Sequence, residues 1–421
     1  MDRLLFDPAP EAPPVAAQDG GVHCFLMEFD PGRTATATET LDLGDRRVTR
    51  YLNEFWTARQ RQASSLQEIS YRACFKPQLP RFFINLMTGE DDPVYDPFSG
   101  RGTTVIEAAL LGRRFIANDA NPLSRILTAP RLFPPRLSEI EARLAQVPFI
   151  DKKADQDLSM FFHPRTEAEI VSLKDYLIER QAAGDEDELD RWMRLVATNR
   201  LTGHSRGFFS VYTLPPNQAV SPERQKKINA RLGQEPEYRD VRKIILKKTR
   251  SLLKDLTPAD RESLARAGRT GVFLTNDASA TPEIPSNSVQ LIVTSPPFLN
   301  VVQYTQDNWL RCWFNNLDSE AIADRITCSS SLKDWTAVMA RAFQEFHRVI
   351  RPGGWVAFEV GEIQGGRLSL DEQVIPLGQA AGFSCRGVVV NCQTFTKTSN
   401  IWGVNNNQRG TNTNRIVLFE K

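Results

Sequence analysis

One segment of the chain alternates strand and helix patterns around a glycine-rich turn. Val94-Tyr95 is an apolar strand that leads into the turn Asp96–Thr104, and a helical pattern at 105–111 follows and ends at Gly112. A second apolar strand lies at 115–117. Two strands joined by a helix form a βαβ unit, whose strands run parallel in a sheet that carries helices on its faces. This unit restricts the fold of the chain more than any other segment does.

Strand patterns return in the last third of the chain. Apolar strands at 272–274, 290–294 and 355–358 alternate with helical patterns, which predicts an α/β fold with a doubly wound, Rossmann-like, mostly parallel sheet. The strands at 388–390 and 415–419 are expected to form an antiparallel hairpin at the edge of that sheet.

The α/β alternation is interrupted, and this interruption predicts the domain organisation. Residues 1–45 have no sustained period and are expected to form a flexible N-terminal arm. Residues 46–135 are the first part of the α/β domain, with a mostly helical stretch at its start, and residues 271–421 are the second part. Between them, residues 136–270 are mainly helical and are expected to form an inserted domain.

The glycine-rich turn has the features of a ligand site. Helix N-termini at the carboxyl ends of parallel strands offer unpaired N–H groups, and Gly100 and Gly102 allow a ligand to approach the backbone closely. Asp96 is placed to accept hydrogen bonds, and Asp119, at the end of the second strand, stands where an acid binds ribose hydroxyls. The third glycine of a dinucleotide motif is replaced by Val105. We therefore expect an adenosine ligand without a pyrophosphate; a purely structural turn is the alternative.

A second candidate site follows the strand at 290–294. Ser295, Pro296, Pro297 and Phe298 form a rigid turn, in which the serine hydroxyl and the Pro296 carbonyl are two acceptors for an amino group. Acceptance of both amino protons localises the nitrogen lone pair and makes the nitrogen a better nucleophile. Phe298 is expected to stack on a base that has left the double helix. The alternative is a turn that only ends the strand.

The two turns together resemble the paired motifs of the amino-methyltransferases of DNA, which methylate adenine N6 or cytosine N4. The resemblance implies a Rossmann-like methyltransferase domain, S-adenosylmethionine as cofactor, and double-stranded DNA with a flipped-out base as substrate. It makes Ser295, Pro296, Pro297 and Phe298 the catalytic residues. It further implies the following cofactor-binding residues: Lys76, Asp96, Pro97, Phe98, Ser99, Gly100, Gly102, Thr103, Thr104, Asp119 and Asp277.

A serine at the start of the catalytic motif is typical of cytosine-N4 enzymes, whereas Asp or Asn is typical of adenine-N6 enzymes. We therefore expect cytosine N4 as the target, with adenine N6 and RNA guanine N2 as alternatives. A non-catalytic DNA-binding module on the same fold is a further alternative. Cytosine-C5 chemistry is disfavoured because it usually needs a Pro-Cys dipeptide, and none of the six cysteines follows a proline. A cognate restriction endonuclease is a further expected partner.

The inserted segment carries the positive charge expected of a DNA-binding surface. The chain has a formal charge of only +1, but residues 221–270 contain 14 Lys/Arg against seven Asp/Glu. Basic helices bind phosphates, so 136–270 is interpreted as the target-recognition domain. A solvated helix face is the alternative. The candidate DNA contacts are Arg242, Lys243, Lys247, Lys248 and Arg250. The roles of His204 and Trp402 stay open.

Several classes of protein and site are not expected. The cysteines include no CxxC pair, so neither a metal site nor a disulfide framework is expected. The sequence has no apolar stretch that is long enough to span a bilayer and no signal-peptide pattern at its start. These observations predict a cytoplasmic location.

Overall fold

A nine-stranded mixed sheet forms the centre of the molecule, in the order β1-β2-β10-β11-β7-β6-β3-β4-β5. The computed structural model describes residues 21–30, 35–44, 46–56, 63–71, 74–213, 219–297, 304–326, 331–363, 368–392 and 413–421. The strands are β1 Ala37–Asp42, β2 Arg47–Asn53, β3 Pro93–Asp96, β4 Arg114–Asn118, β5 Val272–Leu274, β6 Val289–Thr294, β7 Ile350–Val360, β8 Glu362–Ile363, β9 Leu368–Ser369, β10 Ser384–Cys392 and β11 Thr413–Glu420. Strands β8 and β9 form a small antiparallel pair of their own.

Helices cover the sheet and build the inserted segment. They are α1 Gly21–Glu28, α2 Gln78–Met87, α3 Thr103–Leu110, α4 Leu123–Thr128, α5 Leu137–Gln146, α6 Pro164–Ala183, α7 Glu188–Arg200, α8 Pro222–Leu232, α9 Val241–Leu253, α10 Pro258–Thr270, α11 Tyr304–Phe314, α12 Ser319–Arg325, α13 Leu332–Val349 and α14 Leu370–Ala380. Short 3-10 helices lie at Ser65–Gln67 and Ala129–Leu132. In the parts of the chain that the structure describes, no helix is long and apolar enough to cross a membrane.

Five adjacent strands of the sheet, β7, β6, β3, β4 and β5, run parallel. Every residue of β6 is buried, as expected for a strand that has neighbours on both sides and helices on both faces. The chain proceeds from β3 outward through β4 to β5, and then returns to add β6 and β7 on the other side of β3. The prediction of a doubly wound, mostly parallel sheet is confirmed, and β3 and β6 flank the point where the strand order reverses.

The predicted antiparallel pair of β10 and β11 is present, but it does not lie at the edge of the sheet. Strand β2 pairs in parallel with β10, from Arg50 beside Val388 to Asn53 beside Asn391, and β1 covers β2. The buried Arg50–Asp371 ion pair, at 2.8 Å, ties β2 to α14. The partner of β2 is far away in the sequence, so local patterns did not reveal the pairing.

The N-terminal segment therefore differs from the flexible arm that was expected for residues 1–45. Residues 1–20 lie outside the described residues, but α1 and β1 both fall within the predicted arm. Val22 and Leu26 of α1 are buried. Apolar contacts and sheet pairing order this segment although its own sequence period is weak. Likewise, the start of the stretch expected to be helical forms β2.

The inserted segment is helical, as predicted, and consists of α5 to α10. It does not stand apart from the sheet, because α10 packs against α3 and β4. Gly271 lies so close to the Phe115 ring that a Cβ atom there would be 2.0 Å from it. Buried side chains of the insertion and of the sheet domain belong to one continuous apolar core.

Candidate active site

A cleft of about 950 Å³, part of which is open solvent, lies at the carboxyl ends of β3, β4 and β6. It occupies the point where the strand order reverses, which is the usual place for a ligand in an open α/β sheet. The turn after β3 and the turn after β6, which the sequence singled out separately, both reach this cleft. Its lining includes Pro97, Phe98 and Gly100 from the first turn, and Ser295 and Pro297 from the second.

The two glycines of the first turn have different roles. Both have left-handed backbone conformations, with φ of +52° at Gly100 and +74° at Gly102. Gly100 lines the cleft, as expected for close approach of a ligand. Gly102 faces the protein instead, since a Cβ atom there would lie 2.3 Å from the Thr128 side chain. The missing side chain at Gly102 allows α4 to approach the turn, and close approach of a ligand to the Gly102 backbone stays a prediction.

Asp119 stands at the end of β4 and organises the turn. Its carboxylate accepts hydrogen bonds from the N–H groups of Gly100, at 2.7 Å, and Asn121, at 2.9 Å. Burial raises the pKa of Asp119 to about 6, although these two hydrogen bonds oppose the shift. Asp119 also lines the cleft, which places an acceptor beside any bound ligand.

Asp96 lies behind the cleft rather than in its wall. Its side chain is only 1% exposed, and it accepts hydrogen bonds from the Phe98 N–H, at 3.2 Å, and the Thr294 hydroxyl, at 2.6 Å. Burial raises the pKa of Asp96 to about 7, and the nearby Asp119 adds to the rise. Because Thr294 directly precedes Ser295, Asp96 joins the first turn to the second.

A side-chain amide holds the ends of three strands together. Asn118 donates to the carbonyls of Pro97, at 3.2 Å, and Asn276, at 3.0 Å, and accepts from the Asn276 N–H at 2.8 Å. Asn276 and Asp277 follow β5 and both line the cleft. The Asp277 carboxylate accepts from the N–H and the hydroxyl of Ser279, each at 2.8 Å.

The second turn is held by α13. The indole N–H of Trp335 donates to the Pro297 carbonyl at 2.9 Å, which fixes the backbone of this turn. Ser295 lines the cleft and is partly exposed, so its hydroxyl is accessible. Phe298, which was expected to stack on a base, lies outside the described residues.

The cleft has an apolar wall that was not predicted from the sequence. Trp335, Val338, Met339 and Ala342 of α13 line it, opposite the polar groups that follow β4 and β5. Tyr71, Asn121 and Arg325 also line it and were not predicted. The helical spacing of the α13 residues was visible in the sequence. Only the three-dimensional position of the helix shows that the same face reaches the site.

The predicted site residues thus divide into two groups. The cleft is lined by Pro97, Phe98, Gly100, Asp119, Asp277, Ser295 and Pro297. The cleft lining does not include Lys76, Asp96, Ser99, Gly102, Thr103, Thr104 or Pro296. Lys76 precedes α2, and burial lowers the pKa of its ammonium. Thr103 and Thr104 open α3, and the Thr104 hydroxyl donates to the Val293 carbonyl at 3.2 Å, which supports the turn from behind.

The predicted DNA contacts all lie on α9 or at its first turn, but they are not equivalent. Lys243, Lys247 and Arg250 are exposed. Arg242 is exposed as well, although its guanidinium donates to the Val147 carbonyl at 2.6 Å. The Lys248 side chain is only 11% exposed, and its ammonium donates to the Glu68 carbonyl at 2.5 Å. Burial lowers the pKa of Lys248 to about 8. Lys248 therefore joins the insertion to the sheet domain and is not placed to bind phosphate.

Two further positions, His204 and Trp402, have no role assigned from the sequence. The His204 ring lies 6.0 Å from the Phe208 ring, centroid to centroid, in the insertion. Trp402 lies outside the described residues. Within the described part of the chain, no three His, Cys, Asp or Glu side chains cluster as a metal site would require.

The cleft fits a nucleoside-containing cofactor. Such a ligand needs acceptors for ribose hydroxyls, polar groups for the base edge and an apolar surface for the ring face. Asp119 supplies the first, Asn276 and Asp277 supply the second, and α13 supplies the third. In addition, the Asn121 side-chain amide nitrogen is buried and has no hydrogen-bond partner among the described residues, so it is available to a ligand.

Comparison with known proteins agrees with this geometry. Residues 37–123, which include β3, the glycine turn and Asp119, match the family model described as DNA methylase, of the N6 and N4 type. The match covers about a fifth of the chain, and it makes this part of the chain similar to the DNA methylases that the model describes.

Two curated relatives are Type II methyltransferases. One is M.BsoBI of Geobacillus stearothermophilus, which is 21% identical over 274 residues that cover 61% of this chain and 53% of the relative. The other is M.MvaI of Kocuria varians, which is 25% identical over 127 residues that cover 30% of this chain and 25% of the relative. This chain thus spans about half the length of the first relative and a quarter of the second.

A search of solved structures finds a fainter likeness. The rRNA methyltransferase AviRa from Streptomyces viridochromogenes aligns with a TM-score of 0.34 and 11% identity, over 85% of this chain and 90% of that chain. A likeness of this size carries no argument about what this chain acts on.

Cofactor affinity should depend on the ionisation of Asp119. Ionised carboxylates are the stronger acceptors for hydroxyl groups. The pKa of Asp119 is raised to about 6, so the side chain takes up a proton as the pH falls through that value, and S-adenosylmethionine should bind more weakly at pH 5 than at pH 8. Asp119→Ala should weaken binding by roughly 1.5–3 kcal/mol at neutral pH. Isothermal titration calorimetry measures both effects.

Asp119→Asn is the control for the pH effect. It keeps an acceptor for the Gly100 N–H but cannot titrate, so its affinity should change less with pH than that of the wild type. Equal affinities of the wild type and of Asp119→Ala would remove Asp119 from the cofactor site.

Proposed function

We propose that this chain transfers a methyl group from S-adenosylmethionine to an exocyclic amino group of a base in double-stranded DNA. The observation that carries the proposal is the convergence of two turns on one cleft. Asp119 and Gly100, from the cofactor side, and Ser295, from the catalytic side, line the same cavity. The match of residues 37–123 to the DNA methylase model and the similarity to Type II methyltransferases support DNA as the substrate.

The side chains supply positioning and electrostatics. When bound, the cofactor supplies an electrophilic methyl group. Ser295 and the Pro296 carbonyl accept hydrogen bonds from the amino group and so raise the electron density on its nitrogen. Trp335 fixes the Pro297 carbonyl and Asp96 fixes Thr294, so the turn is held on both sides before the substrate arrives. Such preorganisation reduces the cost of reaching the reactive geometry.

Cytosine N4 is the proposed target atom. The support is the residue that opens the catalytic motif, Ser295, because serine at this position is typical of cytosine-N4 enzymes. Adenine N6 is the alternative target. In either case the base has to leave the helix, since its amino group is otherwise paired and stacked. A cognate restriction endonuclease is proposed as a partner from the description of the relatives as Type II methyltransferases.

Mass spectrometry of nucleosides tests the proposal. DNA from a host that expresses the wild-type chain is compared with DNA from the same host that expresses Ser295→Ala. The full proposal is supported if N4-methylcytosine is present in the wild-type sample and absent from the Ser295→Ala sample. N6-methyladenine in its place would contradict the cytosine assignment and leave DNA amino-methylation standing. Methylated guanosine in RNA, with unmodified DNA, would contradict the proposed function.

The exposed basic face of α9 is proposed to bind DNA phosphates. Lys243, Lys247 and Arg250 lie three or four residues apart, so they share one face of the helix. Replacement of all three by glutamine should weaken DNA binding and reduce the slope of log Kd against log salt concentration by up to about 2–3 units. Cofactor affinity should not change. Fluorescence anisotropy at several salt concentrations measures the slope.

A matched triple variant on another helix of the insertion is the control. It removes the same charge from α8, through glutamine at Lys226, Lys227 and Arg231. A reduced slope for the α8 variant and an unchanged slope for the α9 variant would show that α8, and not α9, faces DNA.

A further inference from the structure

A buried carboxyl group lies beside the catalytic serine. Glu359 is near the carboxyl end of β7 and is 9% exposed, in a strand whose other residues from Trp355 to Val360 are apolar and buried. Strands β6 and β7 pair in parallel with Thr294 beside Phe358, and the continuation of this register brings Ser295 next to Glu359. An acid at this position is costly unless its oxygens are hydrogen-bonded.

Two side chains bond this carboxyl group. The Asn414 amide nitrogen, on β11, donates to one carboxyl oxygen of Glu359 at 2.5 Å. The Ser295 hydroxyl forms the other side-chain hydrogen bond to Glu359. A hydroxyl has one proton, so a serine that donates to a carboxylate directs its lone pairs elsewhere. In Ser295 this arrangement leaves the oxygen ready to accept from a substrate amino group.

The electrostatics of Glu359 are compatible with exchange of a proton near neutral pH. Burial raises the pKa of Glu359 to about 7, and the hydrogen bonds from Ser295 and Asn414 oppose the rise. Charged groups on the neighbouring elements are engaged elsewhere. Asp96 of β3 is bonded to Thr294, and Arg415 of β11 lies 3.7 Å from Asp371 of α14.

We propose that Glu359 is a positioning residue that acts through Ser295. Its carboxylate first accepts a hydrogen bond from the serine hydroxyl and later takes up the proton of that hydroxyl. The proposal rests on the proposed amino-methylation and adds the route by which the amino group loses its proton. Catalytic mutants of Ser295 alone would not reveal this second group.

The step balances as follows. The bond from sulfur to the methyl carbon breaks as the bond from the amino nitrogen to that carbon forms, and the sulfur keeps the electron pair. The nitrogen then releases one proton to the Ser295 oxygen. Ser295 releases its own proton to the Glu359 carboxylate, so the products are S-adenosylhomocysteine, a neutral methylated base and a protonated Glu359. The carboxyl group is later deprotonated by solvent.

Glu359→Gln tests the proposal in the full chain. Glutamine keeps the volume but cannot take up the proton, so the single-turnover rate with saturating cofactor and DNA should fall by about 10²-fold. Affinities for cofactor and DNA should stay within about twofold of the wild type. The wild-type rate should rise with pH up to about 7. This rise should be absent in Glu359→Gln, which separates Glu359 from Asp96, whose pKa is also about 7.

Two further variants keep the test decisive. Glu359→Asp retains a carboxylate and should regain part of the rate, whereas a purely structural role predicts no such rescue. Glu420→Gln, at the other end of β11, removes a partly exposed carboxylate and should leave the rate unchanged. If Glu359→Gln unfolds, the other proteins still decide. The proposal is overturned if the single-turnover rate of Glu359→Asp does not rise with pH, or if that of the wild type does not. If Glu359→Gln keeps the rate and the pH profile of the wild type, proton transfer to Glu359 is overturned and the proposed function stands. If the wild type is inactive, both the proposed function and the role of Glu359 are overturned.

Discussion

Ser295→Ala should lower the rate of methyl transfer by about 10²–10³-fold, which is the usual cost of one lost preorganised polar contact at a reacting atom. The hydroxyl lines the cleft and is held by Glu359, whereas the neighbouring backbone is fixed by Trp335. The alanine variant should therefore keep the shape of the turn. Affinities for cofactor and DNA should change little, because the contact gains strength as charge develops on the amino nitrogen.

Rapid-quench single-turnover kinetics measures the rate, and calorimetry and anisotropy measure the affinities. Ser288→Ala is the matched control, since this partly exposed serine precedes β6 and donates to the Pro285 carbonyl, at the end of the strand remote from the cleft. Equal losses of rate and of DNA affinity in Ser295→Ala would assign the serine to binding rather than to catalysis.

Gly102→Ala should destabilise the fold by about 2–5 kcal/mol, the combined cost of a left-handed alanine and of overpacking. The backbone at Gly102 has φ of +74°, and the new Cβ atom would meet Thr128 at 2.3 Å. Either the turn or α4 must shift. Displacement of the turn would also break the hydrogen bond from Gly100 to Asp119, so cofactor affinity should fall with stability.

Gly353→Ala measures the cost of a left-handed alanine without the cost of overpacking. Gly353 also has φ of +74°, but nothing lies within 4 Å of its missing Cβ atom. Its alanine variant should lose about 1–2 kcal/mol, from the backbone alone. Chemical unfolding of both variants, monitored by circular dichroism, gives the comparison. Equal losses in the two variants would show that Thr128 yields without cost.

The parts of the fold that sequence predicted correctly are those with local causes. The βαβ unit around Asp96–Thr104 was visible because glycine, apolar periodicity and strand residues act within a few positions of one another. The mainly apolar β6 and the Ser-Pro-Pro turn after it were visible for the same reason. The convergence of the two turns was not predicted, although parallel strands present their carboxyl ends at one edge of a sheet.

The parts that sequence missed depend on distant partners. Strand β2 is ordered by β10, and no local pattern specifies that pairing. Lys248 and Lys247 are adjacent lysines, yet the helix turns one toward Glu68 and the other toward solvent. Glu359 appeared as an ordinary acid in a strand until the register of β6 and β7 placed it at Ser295. In each case the deciding contact lies on another element.

The pairing of β2 with β10 also means that β2 is synthesised long before its partner strand. Arg50 leaves the ribosome 338 residues before its strand partner Val388. At roughly 5–20 residues per second, this separation corresponds to a wait of about 20–70 s. During that time the backbone edge of β2 has no strand on its β10 side, and an open edge invites pairing with other nascent chains. Yield at high expression should therefore depend on elongation speed and on chaperones that shield exposed strands.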